Sequence, residues 1–310
     1  MTRIGTSDLD VKPLSLGGNV FGWTADEAES HRVLDAFVEG GGDFVDTADV
    51  YSAWSAGGAG ISETIIGSWF AKSGKRDQVV LATKVGKKPD REGLAADTIR
   101  VAVDESLQRL QTDRIDLYWA HADDPDTALE ETLGAFDELV RAGKVRAIGA
   151  SNYTGPRLEA ALETSRREGF ASYVALQNLY SLVERAEYEG DAGKVVADNG
   201  LASIPYSALA SGFLTGKYRP GRLAESQRQA GAAKYLDEPR GEKVLAALDA
   251  AAAAHGVEVA SVALAWLRQQ PTVLAPIASA RTLEQLPALM AALDLVLDAE
   301  ELSALDRASR

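Results

Sequence analysis

Eight short runs rich in Val, Ile and Leu, separated by longer amphipathic stretches, constrain this 310-residue chain more than any other feature. The runs are 13–16, 44–46, 79–84, 115–120, 145–150, 173–178, 202–206 and 273–277. Short continuous apolar runs suit strands buried on both faces, as parallel strands are when helices cover them. Helical spacing fills 25–39, 63–71, 95–110, 128–142, 156–168, 193–199, 242–255 and 261–270. Asp97, ahead of Ile99, Val101 and Val103, reads as an N-cap region, and Gly143 stands where a glycine closes a helix. This alternation, with no Pro/Gly/Ser-rich linker, predicts one closed (β/α)8 TIM barrel over 1–310 rather than an open doubly wound sheet.

Two stretches interrupt the pattern. Residues 54–60 (WSAGGAG) form a small-residue loop, and 209–240 is a long segment after the seventh strand carrying Lys217, Arg219, Arg222 and Arg228. Long loops inside compact domains are more often lids or binding loops than accidents, so both are expected to border a ligand. The formal net charge of -14 argues against sequence-independent binding of nucleic acid or an anionic membrane. The small basic groups at 72–76 and 84–88 read as solvated surface unless one of them meets an anionic ligand. The absence of Cys removes disulfides, thiolate metal sites and a Cys nucleophile together. MTRIGTSDLD has no apolar signal core, and Asp249 breaks the Ala-rich stretch near 245–254, so a cytoplasmic protein without a membrane span is expected.

Ligands of such barrels sit at the carboxyl ends of the strands. There the sequence places Asp46 with Tyr51 just beyond, then Lys84, His121, Ser151 with Asn152, Gln177 with Asn178, and Tyr206. Singly, each has an ordinary structural use: an Asp makes turns, a Lys is solvated, a lone His is a satisfied core residue. Together they suggest more. An ammonium beside a phenol stabilises the phenolate and lowers its pKa, and a carboxylate holds that ammonium in place. A neutral imidazole would donate to the same substrate oxygen, so Tyr51, Lys84, Asp46 and His121 make a coherent device for protonating a carbonyl.

Six segments in order carry a resemblance over nearly the whole chain: DTADVY (46–51), TKVG (83–86), DLYWAH (116–121), GKVRAIGASNY (143–153), LQNLYSL (176–182) and SGFLTGKY (211–218). They resemble the aldo-keto reductase family, in the branch that includes potassium-channel beta subunits. The resemblance implies that Tyr51 is the general acid for carbonyl reduction and the base for alcohol oxidation. Lys84 and Asp46 would tune it and His121 would orient the carbonyl, while Asp49 becomes a loop residue with a structural role.

The same resemblance implies a nicotinamide cofactor held without a G-x-G-x-x-G fingerprint, and none follows a strand here. Ser151, Asn152 and Gln177 would meet the carboxamide and Tyr206 would stack on the ring. Backbone donors near Ser211, Gly212 and Leu214 would meet the pyrophosphate. GFLTGKY itself is one residue short between its glycines and lacks Ser or Thr after Lys217, so it is no Walker motif. In PIASARTLEQL (276–286) a strand end opens into a helix, a place that favours an anion. Ser279 and Arg281 there suit a 2′-phosphate, with Gln285 as an adenosine contact, which favours NADPH over NADH. Where relatives often carry Glu-Asn on the adenine, this chain has Ala288 and Leu289.

Trp23 and Trp54 are expected to line an apolar substrate pocket, open enough for several aldehydes or ketones. The competing reading is an NADP(H)-binding regulatory or redox-sensing subunit with little turnover. A metal-dependent hydrolase is poorly supported by three His (His31, His121, His255) with no pair on one strand, and GASNY lacks the closing Gly of a nucleophile elbow.

Overall fold

The computed structural model describes residues 1–55, 57–219, 221 and 227–310; Arg222, noted above in the long segment, lies outside them. Eight strands form one sheet: β1 (Ser15–Gly17), β2 (Phe44–Asp46), β3 (Val80–Val85), β4 (Ile115–Ala120), β5 (Val145–Ser151), β6 (Tyr173–Gln177), β7 (Ala202–Ser203) and β8 (Ile277–Ala278). Each is parallel to its neighbour from β1 through to β7, and β8 lies beside β1. The ring closes between β7 and the approach to β8. Ser203 bridges Val273 in parallel, Leu274 N–H donates to the Ser203 carbonyl at 2.8 Å, and Ile277 N–H donates to that of Pro205 at 2.9 Å. The expected barrel is therefore present. β7 covers only two residues of the run 202–206, and β8 overlaps the run 273–277 at Ile277 alone, because pairing of 273–276 is confined to these few bonds.

Side-chain alternation explains the layers. Phe44, Ala82, Leu117, Trp119, Ala147, Ala175, Ile204 and Ala275 share one inner core, while Val45, Leu81, Val85, Tyr118, Ala120, Ile148 and Leu176 belong to the core under the helices. Neighbours along a strand face opposite sides, so apolar residues occupy both faces and the runs show no polar alternation. A hairpin of Thr2–Arg3 and Asp10–Val11 adds Ile4, Leu9 and Val11 to the inner core at its amino-terminal end. Gly5 makes that approach possible, since a Cβ at its φ of +51° would lie 2.1 Å from the Val174 carbonyl oxygen.

The outer layer comprises α1 (Glu27–Glu39), α2 (Ile61–Ser73), α3 (Ala96–Leu110), α4 (Leu129–Arg141), α5 (Gly155–Glu168), α6 (Gly193–Asp198), α7 (Gln229–Leu236), α8 (Pro239–His255), α9 (Val259–Arg268), α10 (Leu286–Met290) and α11 (Ala299–Ser309). Asp26 caps α1 by accepting from Glu29 N–H at 2.8 Å, an interaction worth about 1 kcal/mol. Asp97 does not cap α3: Ala95 holds that position without a side-chain bond, and Asp97 pairs with Arg100 inside the first turn. Gly143 does follow α4 in the left-handed conformation, at φ +72°. The long segment after β7 is partly helical, because α7 and a 3-10 turn at Ala210–Thr215 lie within it. Among the described residues no single helix is long and apolar enough to cross a membrane.

Candidate active site

The alternation that builds the inner core also builds the site. Two residues beyond Phe44 is Asp46, two beyond Ala82 is Lys84, two beyond Trp119 is His121 and two beyond Ala175 is Gln177, so these polar groups cap the apolar layer. The Lys84 ammonium is fully buried and uses its three donors on the Asp46 carboxylate, the Thr47 carbonyl at 2.7 Å and the Tyr51 hydroxyl at 3.0 Å. Asp46 accepts on its other oxygen from Gln177 Nε2 at 3.0 Å. Residues 46, 51 and 84 thus form one connected cluster.

Burial would lower the pKa of Lys84, but the charges of Asp46 and Tyr51 outweigh it and the ammonium is held above its ordinary value. For Tyr51 the net direction is opposite to the expectation from the sequence. Burial raises the phenol pKa more than Lys84 lowers it, with Asp46 adding to the rise and Arg228 opposing it. At neutral pH the phenol therefore keeps its proton. His121 is held well below its ordinary value by burial and then by the charges of Lys84 and Lys87, so its imidazole is neutral. Its ring lies 6.1 Å from that of Tyr51, and its buried Nδ1 has no hydrogen-bond partner. A protonated phenol, a fixed ammonium and a neutral imidazole together can deliver a proton to an oxygen placed between them.

The cluster opens into a cavity of about 1080 Å3. Trp23 and Trp54 meet edge to face at 5.7 Å beside Tyr51, and both line it. Ser151, Asn152, Gln177, Tyr206, Ser211, Gly212, Ser279, Arg281 and Gln285 line it too. Tyr206 donates to Asn152 Oδ1 at 2.8 Å, which ties the ring in place. Asn152, Ser207, Ala210 and Ser211 are non-glycine residues at positive φ around this cavity, and Gly212 extends the run. Such backbone costs about 1–2 kcal/mol per residue and concentrates where a site fixes geometry. Lys217 and Arg281 both line the far part of the cavity, and neither has a carboxylate partner among the described residues.

Comparison with known proteins is consistent with this arrangement. The model of the aldo/keto reductase family matches residues 13–310. The chain belongs to that family. An uncharacterized oxidoreductase of Bacillus subtilis (strain 168), YrpG, is 37% identical over 98% of this chain and 94% of its own. Protein tas of Escherichia coli (strain K12) is 33% identical over 98% and 96%, and norsolorinic acid reductase B of Aspergillus parasiticus is 31% identical over 97% and 82%.

Against that family background, three expectations change. Leu214 does not reach the cavity: its side chain is in the core, and its N–H, like that of Gly212, donates to the Leu209 carbonyl. The helix after β8 is a 3-10 turn (Leu283–Gln285) leading into the five-residue α10, too short for the dipole argument. Two donors there are also taken, since Leu283 N–H is capped by Glu29 and Arg281 N–H by Gln285 Oε1. Sequence reasoning missed Asn19, which lines the cavity and accepts from Ser279 Oγ at 2.6 Å, although it too follows a strand end. Lys87, within the basic group 84–88, and Arg228, in the long segment expected to border a ligand, line the cavity as well; the Arg228 guanidinium lies 5.5 Å from the Trp23 ring centroid. Among the described residues no three His, Asp or Glu side chains gather as a metal would require.

Asp49 is buried behind this aldo/keto reductase site, and neither of its oxygens has a well-formed hydrogen bond. Burial, then the charge of Glu63, pushes its carboxyl up from 3.8 to about 7 against Arg109 and Lys88. A raised carboxyl pKa favours the folded state fully below about pH 4, and that contribution is lost as pH rises through about 7. At about 1.4 kcal/mol per pKa unit the window spans about 4 kcal/mol at most. Asp49→Asn is expected to gain a few kcal/mol relative to the parent between about pH 5 and 8, read by urea denaturation at each pH. A constant difference across that range would show that Asp49 titrates normally.

Proposed function

We propose that this chain is an NADP(H)-dependent carbonyl reductase in which Tyr51 is the acid that protonates the carbonyl oxygen. The observation that carries the reading is the Lys84 ammonium held between Asp46 and the Tyr51 hydroxyl at 3.0 Å, where the phenol lines a large cavity. Tyr51 moves the proton, Lys84 steadies the negative charge that develops on the phenol oxygen, and Asp46 keeps Lys84 charged and in place. His121, being neutral, donates to the same carbonyl oxygen and orients it. In the reverse direction the Tyr51 phenolate, steadied by Lys84, accepts the proton from an alcohol.

The donor set suits a phosphorylated dinucleotide. Lys217 and Arg281, without a carboxylate partner among the described residues, supply positive charge for phosphates, Tyr206 supplies a flat ring, and Ser151, Asn152 and Gln177 supply amide and hydroxyl groups at the reacting end. Reduced nicotinamide, when bound, supplies the hydride. Ala288, Pro287 and Leu289 leave the adenine end mainly apolar, so affinity rests on the cations.

The test follows reduced-nicotinamide absorbance over a panel of aldehydes and ketones with NADPH and with NADH. Turnover is expected with NADPH preferred, and Arg281→Ala should weaken NADPH about tenfold while leaving NADH nearly unaffected, as loss of a charged phosphate contact predicts. Equal weakening of both would remove Arg281 from the phosphate role. Tight cofactor binding with no turnover on any carbonyl would favour the binding-subunit reading.

A further inference from the structure

We propose that the preferred substrate carries a carboxylate distant from its carbonyl, and that Lys87 receives it at the cavity mouth. This rests on the reductase reading and adds the chemical class of the substrate. Lys87 sits in the short hairpin Lys87–Lys88 and Arg91–Glu92 that follows β3. Its companions are neutralised: Lys88 pairs with Glu105 at 3.1 Å and Asp90 at 3.3 Å, and Arg91 pairs with Glu105 at 2.9 Å. Lys87 has no carboxylate partner among the described residues, although Glu92 is its register neighbour across the hairpin.

Its position gives that charge a use. Lys87 lines the cavity with Tyr51, Trp54 and His121, and it is close enough to His121 for its charge to act on the imidazole. Among the described residues, the only lining carboxylates are Glu258, at the start of α9, and Glu284, in the turn before α10. Near Tyr51 the wall carries Lys87. Asp46 adds no exposed negative charge, because both its oxygens are engaged. In a chain with 46 acidic and 32 basic residues, an unneutralised cation facing a cavity stands out against the prevailing sign. A flat substrate lying against Trp23 and Trp54 would exclude water there and strengthen the contact with a carboxylate.

The discriminating pair is 4-carboxybenzaldehyde and its methyl ester, which are similar in shape and differ in charge. The aldehyde carbon of the methyl ester is the more electrophilic of the two, so intrinsic reactivity works against the expected order. We expect the parent to favour the carboxylate about tenfold in kcat/KM, equivalent to about 1.4 kcal/mol, and to lose that preference as salt rises. Lys87→Met should bring the ratio near one, Lys87→Glu should invert it, and Lys87→Arg should retain most of it. A parent ratio below about two, or a ratio unmoved in Lys87→Met, overturns the proposal. Calorimetric binding of 4-(hydroxymethyl)benzoate and its methyl ester reads the same preference without turnover. A binding preference that Lys87→Met abolishes, with no carbonyl reduced, would sustain the anion site and remove the reductase reading; equal binding would remove the anion site.

Discussion

Tyr51→Phe is expected to lower kcat for carbonyl reduction by about 10²–10⁴-fold, the usual worth of a positioned general acid, while NADPH binds as it does to the parent. The ring contacts that place residue 51, with Trp54 at 6.3 Å and His121 at 6.1 Å between centroids, do not depend on the hydroxyl. What disappears is the O–H at 3.0 Å from the Lys84 ammonium. The parent's reduction rate should stay level through neutral pH and decline only in alkaline solution, because the phenol titrates above its ordinary 10.0. Stopped-flow turnover and cofactor titration separate chemistry from binding. Retention of more than about a tenth of kcat would move the acid elsewhere.

Lys84→Met should destabilise the protein by about 3–5 kcal/mol, because it leaves the Asp46 carboxylate buried with its countercharge gone. Gln177 is the one remaining side-chain donor to that carboxylate among the described residues. The double variant Lys84→Met with Asp46→Asn should recover much of the loss, since a neutral amide tolerates burial better than an unpaired charge. Activity should not return with it, because no ammonium faces Tyr51. Denaturant midpoints for the two variants, set beside turnover, separate support of the fold from support of the proton transfer. A single variant within about 1 kcal/mol of the parent would mean that Asp46 takes up a proton or finds solvent.

Much of this arrangement was legible because strand parity ties core and site together. Once Phe44 and Ala82 face the barrel axis, Asp46 and Lys84 must face it too, and the sequence shows both at strand ends. Boundaries at 44–46 and 115–120 agree with β2 and β4, whose apolar runs start and stop sharply. Three things were not legible. The direction of the Tyr51 shift depends on how deeply a phenol is buried, which spacing does not report. The backbone donors near Leu214 and Leu283 were committed to Leu209 and Glu29, partners fixed only by loop path and by packing against α1. The isolation of Lys87 becomes visible only when Glu105 is seen to serve its two neighbours.

Joining β8 to β1 has a consequence for how the molecule comes into being. Asn19 and Ser279, bonded across that junction, are 260 residues apart. A chain leaving the ribosome holds nearly every other part of the pocket before the final staves arrive, yet it has no circle to hold them against one another. Contacts of such long span are late and slow to form. Added dinucleotide should therefore hasten refolding little while protecting the finished protein well, because the ligand recognises only what the last segment completes.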